Sequence, residues 1–427
     1  YLFAHNDGDG EYGEDGDEDI IKCGTYTGDG SSSGLAVDLG FEPQWLFVKL
    51  ISHSGYYSPL VDSMRGFVVG GNDATIWPNV SDAEYSGADY LDPTSSGFIA
   101  TDVNNTNLSG KTYMYMAIRR PNKPASEFAA TDLFAVDNRT TTTSPAFISG
   151  FPVDMAIHRT LDETGSRQIA SRLTGSKVLF TDSVSTESTI SSVTFDYMNG
   201  HREGASANAD EYAWMFRRAK GFFDIVAYGG TGSDRTQAHN LGVVPELILI
   251  KRRGPSNADW VWYVGPLGTG KYMYGDGGAE LSSTTIWSNT APTASVFSLG
   301  NQSGSTYRVN GSGSTYIAYL WATVDGISKI GSYTGTGSDL NVDCGFSAGA
   351  RFILIKRTDA GSDGWYVYDS VRGIVAGDDP YFLLNSTAVQ VTNTDYIDPL
   401  SSGFTVTSSA PADLNASSGT YIFLAIA

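Results

Sequence analysis

Short apolar runs separated by Gly-, Asp-, Asn- and Pro-rich turns recur along almost the whole of this chain. Some alternate, as in Thr112-Tyr113-Met114-Tyr115-Met116-Ala117, and some are continuously apolar, as in Leu247-Ile248-Leu249-Ile250. A period of two places successive side chains on opposite faces of a strand, whereas a short unbroken apolar run suits a strand covered on both faces. Helical periodicity is almost absent; its best candidate, Ser206 to Lys220, overlaps a strand pattern. The arrangement predicts an all-β fold of antiparallel strands joined by tight turns.

The runs repeat at a spacing of about 105 residues. Ile21-Lys22-Cys23-Gly24-Thr25-Tyr26-Thr27-Gly28 returns as Ser328-Lys329-Ile330-Gly331-Ser332-Tyr333-Thr334-Gly335, and more loosely as Asp224-Ile225-Val226-Ala227-Tyr228-Gly229. Each copy then passes a Gly turn into an apolar strand ending on Lys49, Lys251 or Lys356. Each closes on a strand containing Tyr113, Tyr316 or Tyr421, preceded by a turn that starts at Asn107, Asn310 or Asn415. Two copies share a further turn, Asp92-Pro93-Thr94-Ser95-Ser96-Gly97 and Asp398-Pro399-Leu400-Ser401-Ser402-Gly403. Between 121 and 220 lies a degenerate copy, in which Val153-Asp154-Met155-Ala156-Ile157-His158 puts His158 where the others carry Lys, and which closes on Tyr212-Ala213-Trp214-Met215-Phe216. Tyr1-Leu2-Phe3-Ala4 matches Tyr319-Leu320-Trp321-Ala322, so the chain is expected to open on the last strand of an upstream copy. These spacings predict tandem antiparallel β-sandwich modules, jelly-roll-like, of about 105 residues. The expected divisions are 1–20 (end of the upstream copy and an acidic linker), 21–120, 121–220, 221–325 and 326–427.

Charge narrows the function classes. Twenty-seven Lys and Arg against 47 Asp and Glu give a net charge of −20, which a nucleic-acid backbone would repel. The 41 % hydrophobic content, rich in aromatics, argues for filled cores rather than disorder. No apolar stretch reaches the 18 residues or so that suggest a membrane-spanning helix. Cys23 and Cys344 cannot form a disulfide framework. Each stands where sister copies carry an aliphatic residue, Ile225 and Ile330 for the first and Leu39 and Leu241 for the second, so each is expected to pack as a small hydrophobe.

The same comparison between copies disposes of several apparent motifs. Gly265-Pro266-Leu267-Gly268-Thr269-Gly270-Lys271 matches part of a phosphate-binding loop, but Tyr272 replaces the metal-ligating hydroxyl and no helix pattern follows. It aligns with a turn, Asp369-Ser370-Val371-Arg372-Gly373, once Trp260 is set on Trp365. Gly30-Ser31-Ser32-Ser33-Gly34 lacks the strand-to-helix elbow of a hydrolase nucleophile. His5, His53, His158, His201 and His239 have no metal-ligand spacing and are expected at the surface or in turns. Asp62 and Asp369 are expected to cap their own turns and pair with Arg65 and Arg372. No catalytic constellation emerges, and the chain is not expected to be an enzyme.

Two features carry binding potential. The acidic, Gly-rich stretch after residue 5 offers Asp7, Asp9, Glu11 and Glu18 at half of an EF-hand spacing, with Tyr12 in the place of the required Gly. Flexible carboxylate loops of this kind suit Ca²⁺, which is the one cofactor the sequence suggests. Tyr56, Tyr57, Trp77, Tyr85, Tyr90, Trp287 and Tyr396 lie in or beside loops, where exposed aromatics grip sugars or proteins.

The run His5-Asn6-Asp7-Gly8-Asp9-Gly10, the stretch Asp19 to Gly28, Gly40-Phe41-Glu42-Pro43-Gln44-Trp45, Asp62-Ser63-Met64-Arg65-Gly66 and Tyr113 to Arg120 together resemble repeat proteins of tailed phages that infect marine bacteria and cyanobacteria. The resemblance covers the first, third and fourth copies well and the second poorly. It implies a virion structural or tail-fibre-like protein, extracellular in the mature particle, with other virion proteins, further copies of itself and a host-surface glycan or protein as partners. A fibre role implies a trimer. Capsid decoration or a head fibre is the alternative placement. A glycan depolymerase would need two carboxylates across one groove, which Asp62 and Asp369, in equivalent turns of different copies, do not offer.

Overall fold

The computed structural model describes residue 5 and residues 19–139, 144–165, 167–202, 211–275, 277–301, 308–361 and 364–427. Two compact units divide the chain. One comprises Tyr1–Asn122 with Ser171–Gly175 and Thr194–Asp196; the other comprises Lys123–Ala170, Ser176–Val193 and Tyr197–Ala427. Nearly all regular structure is antiparallel strand, arranged as repeated sandwich-like modules of two sheets.

In the first unit the main sheet runs in the order Ile21–Thr27, Thr112–Arg119, Pro43–Leu50, Leu60–Asp62. The opening and closing strands of the repeat are therefore hydrogen-bonded neighbours. A smaller sheet, Leu35–Asp38, Gly97–Ala100, Leu91–Thr94, lies opposite and shares one core with it. Alternation decides which side chains enter that core: Leu46, Val48, Tyr113, Tyr115 and Ala117 point inward against Phe98 and Leu91.

The recurring Tyr and Asn residues have a shared physical role. Tyr26 stacks on Tyr113 at 4.9 Å, Tyr228 on Tyr316 at 5.3 Å and Tyr333 on Tyr421 at 4.8 Å, each joining the opening strand to the closing one. The opening Tyr hydroxyls donate to the carbonyls of Thr106, Val309 and Leu414. Asn107, Asn310 and Asn415 are buried beside them. Their side-chain carbonyls accept from the N–H of Asp29, Thr231 and Thr336, and their amides donate to the carbonyls of Ser31, Ser233 and Ser338. Only a short side chain with a donor and an acceptor can bridge two loop backbones in this way.

Gly97 and Gly403 explain the shared Ser-Ser-Gly turn. A Cβ would lie 2.0 Å from the Val37 carbonyl oxygen at one and 2.1 Å from that of Val342 at the other. Gly403→Ala is expected to cost about 2–3 kcal/mol, as overpacking against backbone that cannot yield does. Denaturant unfolding of the chain measures this, and a loss under 0.5 kcal/mol (roughly the scatter of a neutral surface change) would contradict it.

The second unit holds three modules with the same strand order. One main sheet begins Phe223–Gly229, Thr315–Trp321, Leu247–Gly254, Val261–Val264, and another begins Ser328–Thr334, Thr420–Ile426, Phe352–Arg357, Tyr366–Asp369. The degenerate copy follows suit with Phe134–Asn138, Glu211–Phe216, Met155–Thr160 and Gln168–Ser171. Residues 211–216 of the helical candidate are thus strand; 206–210 lie outside the described residues.

These three modules close into a ring through the outer faces of their main sheets. Lys251 donates to the Ser183 carbonyl of the degenerate module, and Trp260 Nε1 to its Phe180 carbonyl. Lys356 donates to Gly277 and Trp365 Nε1 to Tyr274 in the preceding module. Arg159 donates to the carbonyls of Thr387 and Ala388, and Arg167 also to Ala388, in the last module. Each module thus grips one neighbour and is gripped by the other. Burial pulls Lys251 down to about 8, because the charged form loses its water. Phe216 packs on the rings of Phe134, Phe223, Trp321 and Phe352, and so touches all three modules, and Trp262 stacks on Trp365 at 4.2 Å. A cavity of about 30 Å³ lies within this apolar centre, lined by residues including Ile157, Trp214, Leu249, Trp321, Leu354 and Leu424. Without polar walls it gives a water nothing to bond.

Candidate interaction surface

Sheet register aligns the modules residue by residue. Met155 faces Phe216, Leu247 faces Trp321, Phe352 faces Ile426 and Trp45 faces Ile118. This corrects the reading of His158. It occupies the inward position of Val48, Ile250 and Ile355, while Arg159 takes the place of Lys49, Lys251 and Lys356. The apolar run Met155-Ala156-Ile157 starts in register with its sister copies and is one residue shorter, so the first polar residue after it, His158, stands one place before the Lys position.

The expectation of scattered surface histidines also fails for the degenerate module. His158 and His201 are both buried and stack at 4.6 Å with nearly parallel rings, and Phe147, the cross-strand partner of His201, also packs against His158. Forty-three positions separate them, so only the pairing of the two sheets brings them together. Arg139 and Glu211 form a buried ion pair at 2.8 Å and both act on His158. Neither ring nitrogen of His158 is hydrogen-bonded among the described residues. Loss of hydration pulls His158 down to about 4, with Glu211 opposing and Arg139 reinforcing the shift. The folded state therefore keeps His158 neutral, while the unfolded chain protonates it below about 6.5. Stability from this site is complete above that pH and lost as pH falls toward 4, by about 3 kcal/mol in all. Unfolding measured from pH 7 to pH 4 is expected to show this loss, and His158→Val, which copies Val48, to reduce it. An unchanged pH dependence in the variant would refute the assignment.

The two carboxylate turns behave as the sequence suggests. Asp62 accepts from the N–H groups of Met64 and Arg65 and pairs with Arg65 Nε at 2.6 Å. Asp369 does the same with Val371 and Arg372, again at 2.6 Å. The glycine-rich match at 265–271 is a short 3₁₀ turn, and Lys271 pairs with Glu280 at 2.6 Å. Cys344 packs in the last module's core as Leu39 and Leu241 do in theirs. Cys23, also a free thiol, is half-buried on the outer face, and its backbone N–H donates to His5 Nδ1.

Two carboxylates were missed. Asp73 and Asp379 are fully buried and each accepts backbone N–H groups, Tyr90 and Leu91 for the first and Tyr396 and Ile397 for the second. Desolvation outweighs these donors and pushes Asp73 up to about 8 and Asp379 up to about 7. They pin a long loop to the smaller sheet. The signal was available: an Asp stands seventeen residues before Tyr90 and before Tyr396 alike.

Of the aromatics expected to be exposed, Trp77, Tyr90 and Trp287 are instead core residues. Trp287 donates to the Lys271 carbonyl and packs edge-on against Tyr263. Small sandwiches lack bulk, and loop aromatics folded back over the sheet supply it. Tyr56 and Tyr396 are half-buried against their cores. Tyr57 and Tyr85 remain exposed, at 45 % and 44 %, resting on Trp77 and Tyr90 respectively. The candidate calcium ligands Asp7, Asp9, Glu11 and Glu18 lie outside the described residues, as do Tyr1 to Ala4. Among the described residues no group of three or more His, Cys, Asp or Glu could hold a metal ion, and no helix is long and apolar enough to cross a membrane.

What the first unit offers is a surface. The outer face of its main sheet, the face the other three modules bury against one another, carries Trp45, Phe47, Met116 and Ile118 half-buried, with Ile76 and Met114 exposed at 38 % each. Contiguous large apolar groups on an exposed sheet face are the kind of surface that binding sites use.

No curated protein and no solved structure matches the chain. A family model described as a domain of unknown function (DUF7483) matches residues 18–121 and 217–427. The matched residues are the first, third and fourth modules; the interval between them holds the degenerate module with its stacked histidines. Sharing that family's pattern over most of its length, the chain belongs to the DUF7483 family.

Proposed function

We propose that this protein is a structural subunit of a tailed-phage virion, a tail or tail-fibre component that contributes to host attachment. The observation that carries the reading is the repeated module itself, used three times to build one ring and a fourth time with the ring-forming face open. Tandem β modules that bury their faces on one another supply length and surface. The net charge of −20 suits a particle that stays dispersed, and the exposed Tyr57 and Tyr85 suit contact with a glycan or protein on the host. The acidic stretch holding Asp7, Asp9, Glu11 and Glu18 would take Ca²⁺ in this reading. The carboxylates of the depolymerase reading are engaged elsewhere: Asp62 by Arg65, and the buried Asp369 by Arg372 and Trp214.

Gold-labelled antibody against the chain, viewed on intact particles by negative-stain electron microscopy, tests the placement. Label at the tail or its fibres is the expected result. Label on the capsid surface would replace the proposal with capsid decoration, and particles without label would remove it.

A further inference from the structure

We propose that the outer face of the first module's main sheet joins three copies of this chain around a common axis, repeating between molecules the ring that the second unit forms within one. The inference concerns the mode of assembly and holds wherever on a particle the protein sits.

Three observations converge on it. The first is burial at matched positions. Trp45, Phe47 and Lys49 stand where the ring modules carry Leu247, Leu249 and Lys251, or Phe352, Leu354 and Lys356, all of which are buried. Ile76, 38 % exposed, pairs with Leu60 as Met273 pairs with Trp262 and Phe382 with Val367, yet Met273 and Phe382 are at most 1 % exposed. Met114 likewise corresponds to the buried Ile317 and Ile422.

The second observation is the cation. In the ring, Arg159, Lys251 and Lys356 each reach main-chain carbonyls of the next module. Lys49 has the same strand position, and its side chain makes no hydrogen bond or ion pair among the described residues. The third is the receiving loop. In the ring those carbonyls follow the strands Lys177–Phe180, Lys271–Tyr274 and Phe382–Leu383, at Ser183, at Gly277 and at Thr387 and Ala388. With Ile76 in the place of Met273 and Phe382, the matching segment of the first module is Val80 to Asp82, and it is exposed.

One module therefore presents both halves of a head-to-tail contact, a donor strand and an acceptor loop. A partner that fits both must present both, and a second copy of the module does. Head-to-tail contacts build rings when the rotation closes, and this one closes after three modules in the second unit. Ser58 stands where Arg167, Trp260 and Trp365 add a further cross-module hydrogen bond, so the intermolecular ring has one arm fewer than the covalent one.

Sedimentation velocity of the purified 427-residue chain over the micromolar range tests this. The expected species has the mass of three chains. Phe47→Glu and Met116→Lys, which place charge on the face, are expected to give the mass of one chain, with circular dichroism showing the folded state retained. Lys49→Ala, which leaves the apolar face intact, is expected to weaken the trimer about tenfold, the loss of one charge-assisted hydrogen bond to a carbonyl. Wild-type chain with the mass of one or two copies, or a trimer that survives both charge variants, would overturn the proposal. Should the charge variants unfold, the Lys49→Ala result decides: an unchanged trimer equally overturns it.

Discussion

Phe216→Ala is expected to destabilise the three-module unit by about 3–5 kcal/mol, the cost of emptying a fully buried aromatic site that cannot collapse. Phe216 is 1 % exposed and its ring contacts Phe134 in its own module, Phe223 and Trp321 in the next, and Phe352 in the last. A void there removes packing from three sheets at once, and it adjoins the 30 Å³ cavity already present. The loss should appear in calorimetry as a lower unfolding temperature for the second unit. Met116→Ala makes the comparison. It truncates a half-exposed residue on the corresponding face of the first module, and in a preparation diluted below any self-association it is expected to cost under about 1 kcal/mol. Equal losses in the two variants would mean that the ring centre is no more consolidated than an open sheet face.

Asp369→Ala is expected to cost about 3–5 kcal/mol, because it strands a charge where water cannot reach it. Asp369 and Arg372 are 0 % and 2 % exposed at the side chain, and Asp369 also accepts from Trp214 Nε1 at 3.0 Å. Arg372 lies over the rings of Trp214 and Phe382, which cannot replace a carboxylate as acceptors. Asp62→Ala removes the same group from the same turn of the first module. That pair is about a quarter exposed and Arg65 keeps Glu84 at 3.1 Å, so the expected cost is about 1 kcal/mol, from the two turn N–H groups more than from the charge. Chemical denaturation of both variants separates the effects, and an Asp369→Ala loss no larger than that of Asp62→Ala would show that burial contributes nothing to the pair.

Much of the architecture was legible because local chemistry repeats. Tyr26, Tyr228 and Tyr333, the Asn at 107, 310 and 415, and Gly97 with Gly403 each solve one backbone problem, and the same problem returns wherever the module does. The all-β class followed from period and turn residues alone. Other features were hidden, since they arise from elements distant in sequence. Nothing near His158 announces His201, and an alternating strand that takes one polar residue inward looks the same as one that has slipped by one place. The aromatic loops misled for a related reason: Trp77, Tyr90 and Trp287 have loop neighbours in sequence and core neighbours in space. The ring was invisible because a sheet face covered by a sister module reads simply as apolar. The equivalent strand of the open module, Trp45-Leu46-Phe47-Val48, is as continuously apolar as 247–250 and 352–355, so run length does not separate covered faces from open ones.

Threading three modules of a ring onto one polypeptide has a consequence for how the centre can be filled. An assembly of identical chains must place the same side chain three times around its axis, so that every substitution there occurs in triplicate. Here Phe216, Trp321 and Ile426 share one position by register and differ in size. Each can change alone while its sisters compensate. That freedom allows one module in three to carry a pair of imidazoles inside its core while the other two retain aliphatic packing.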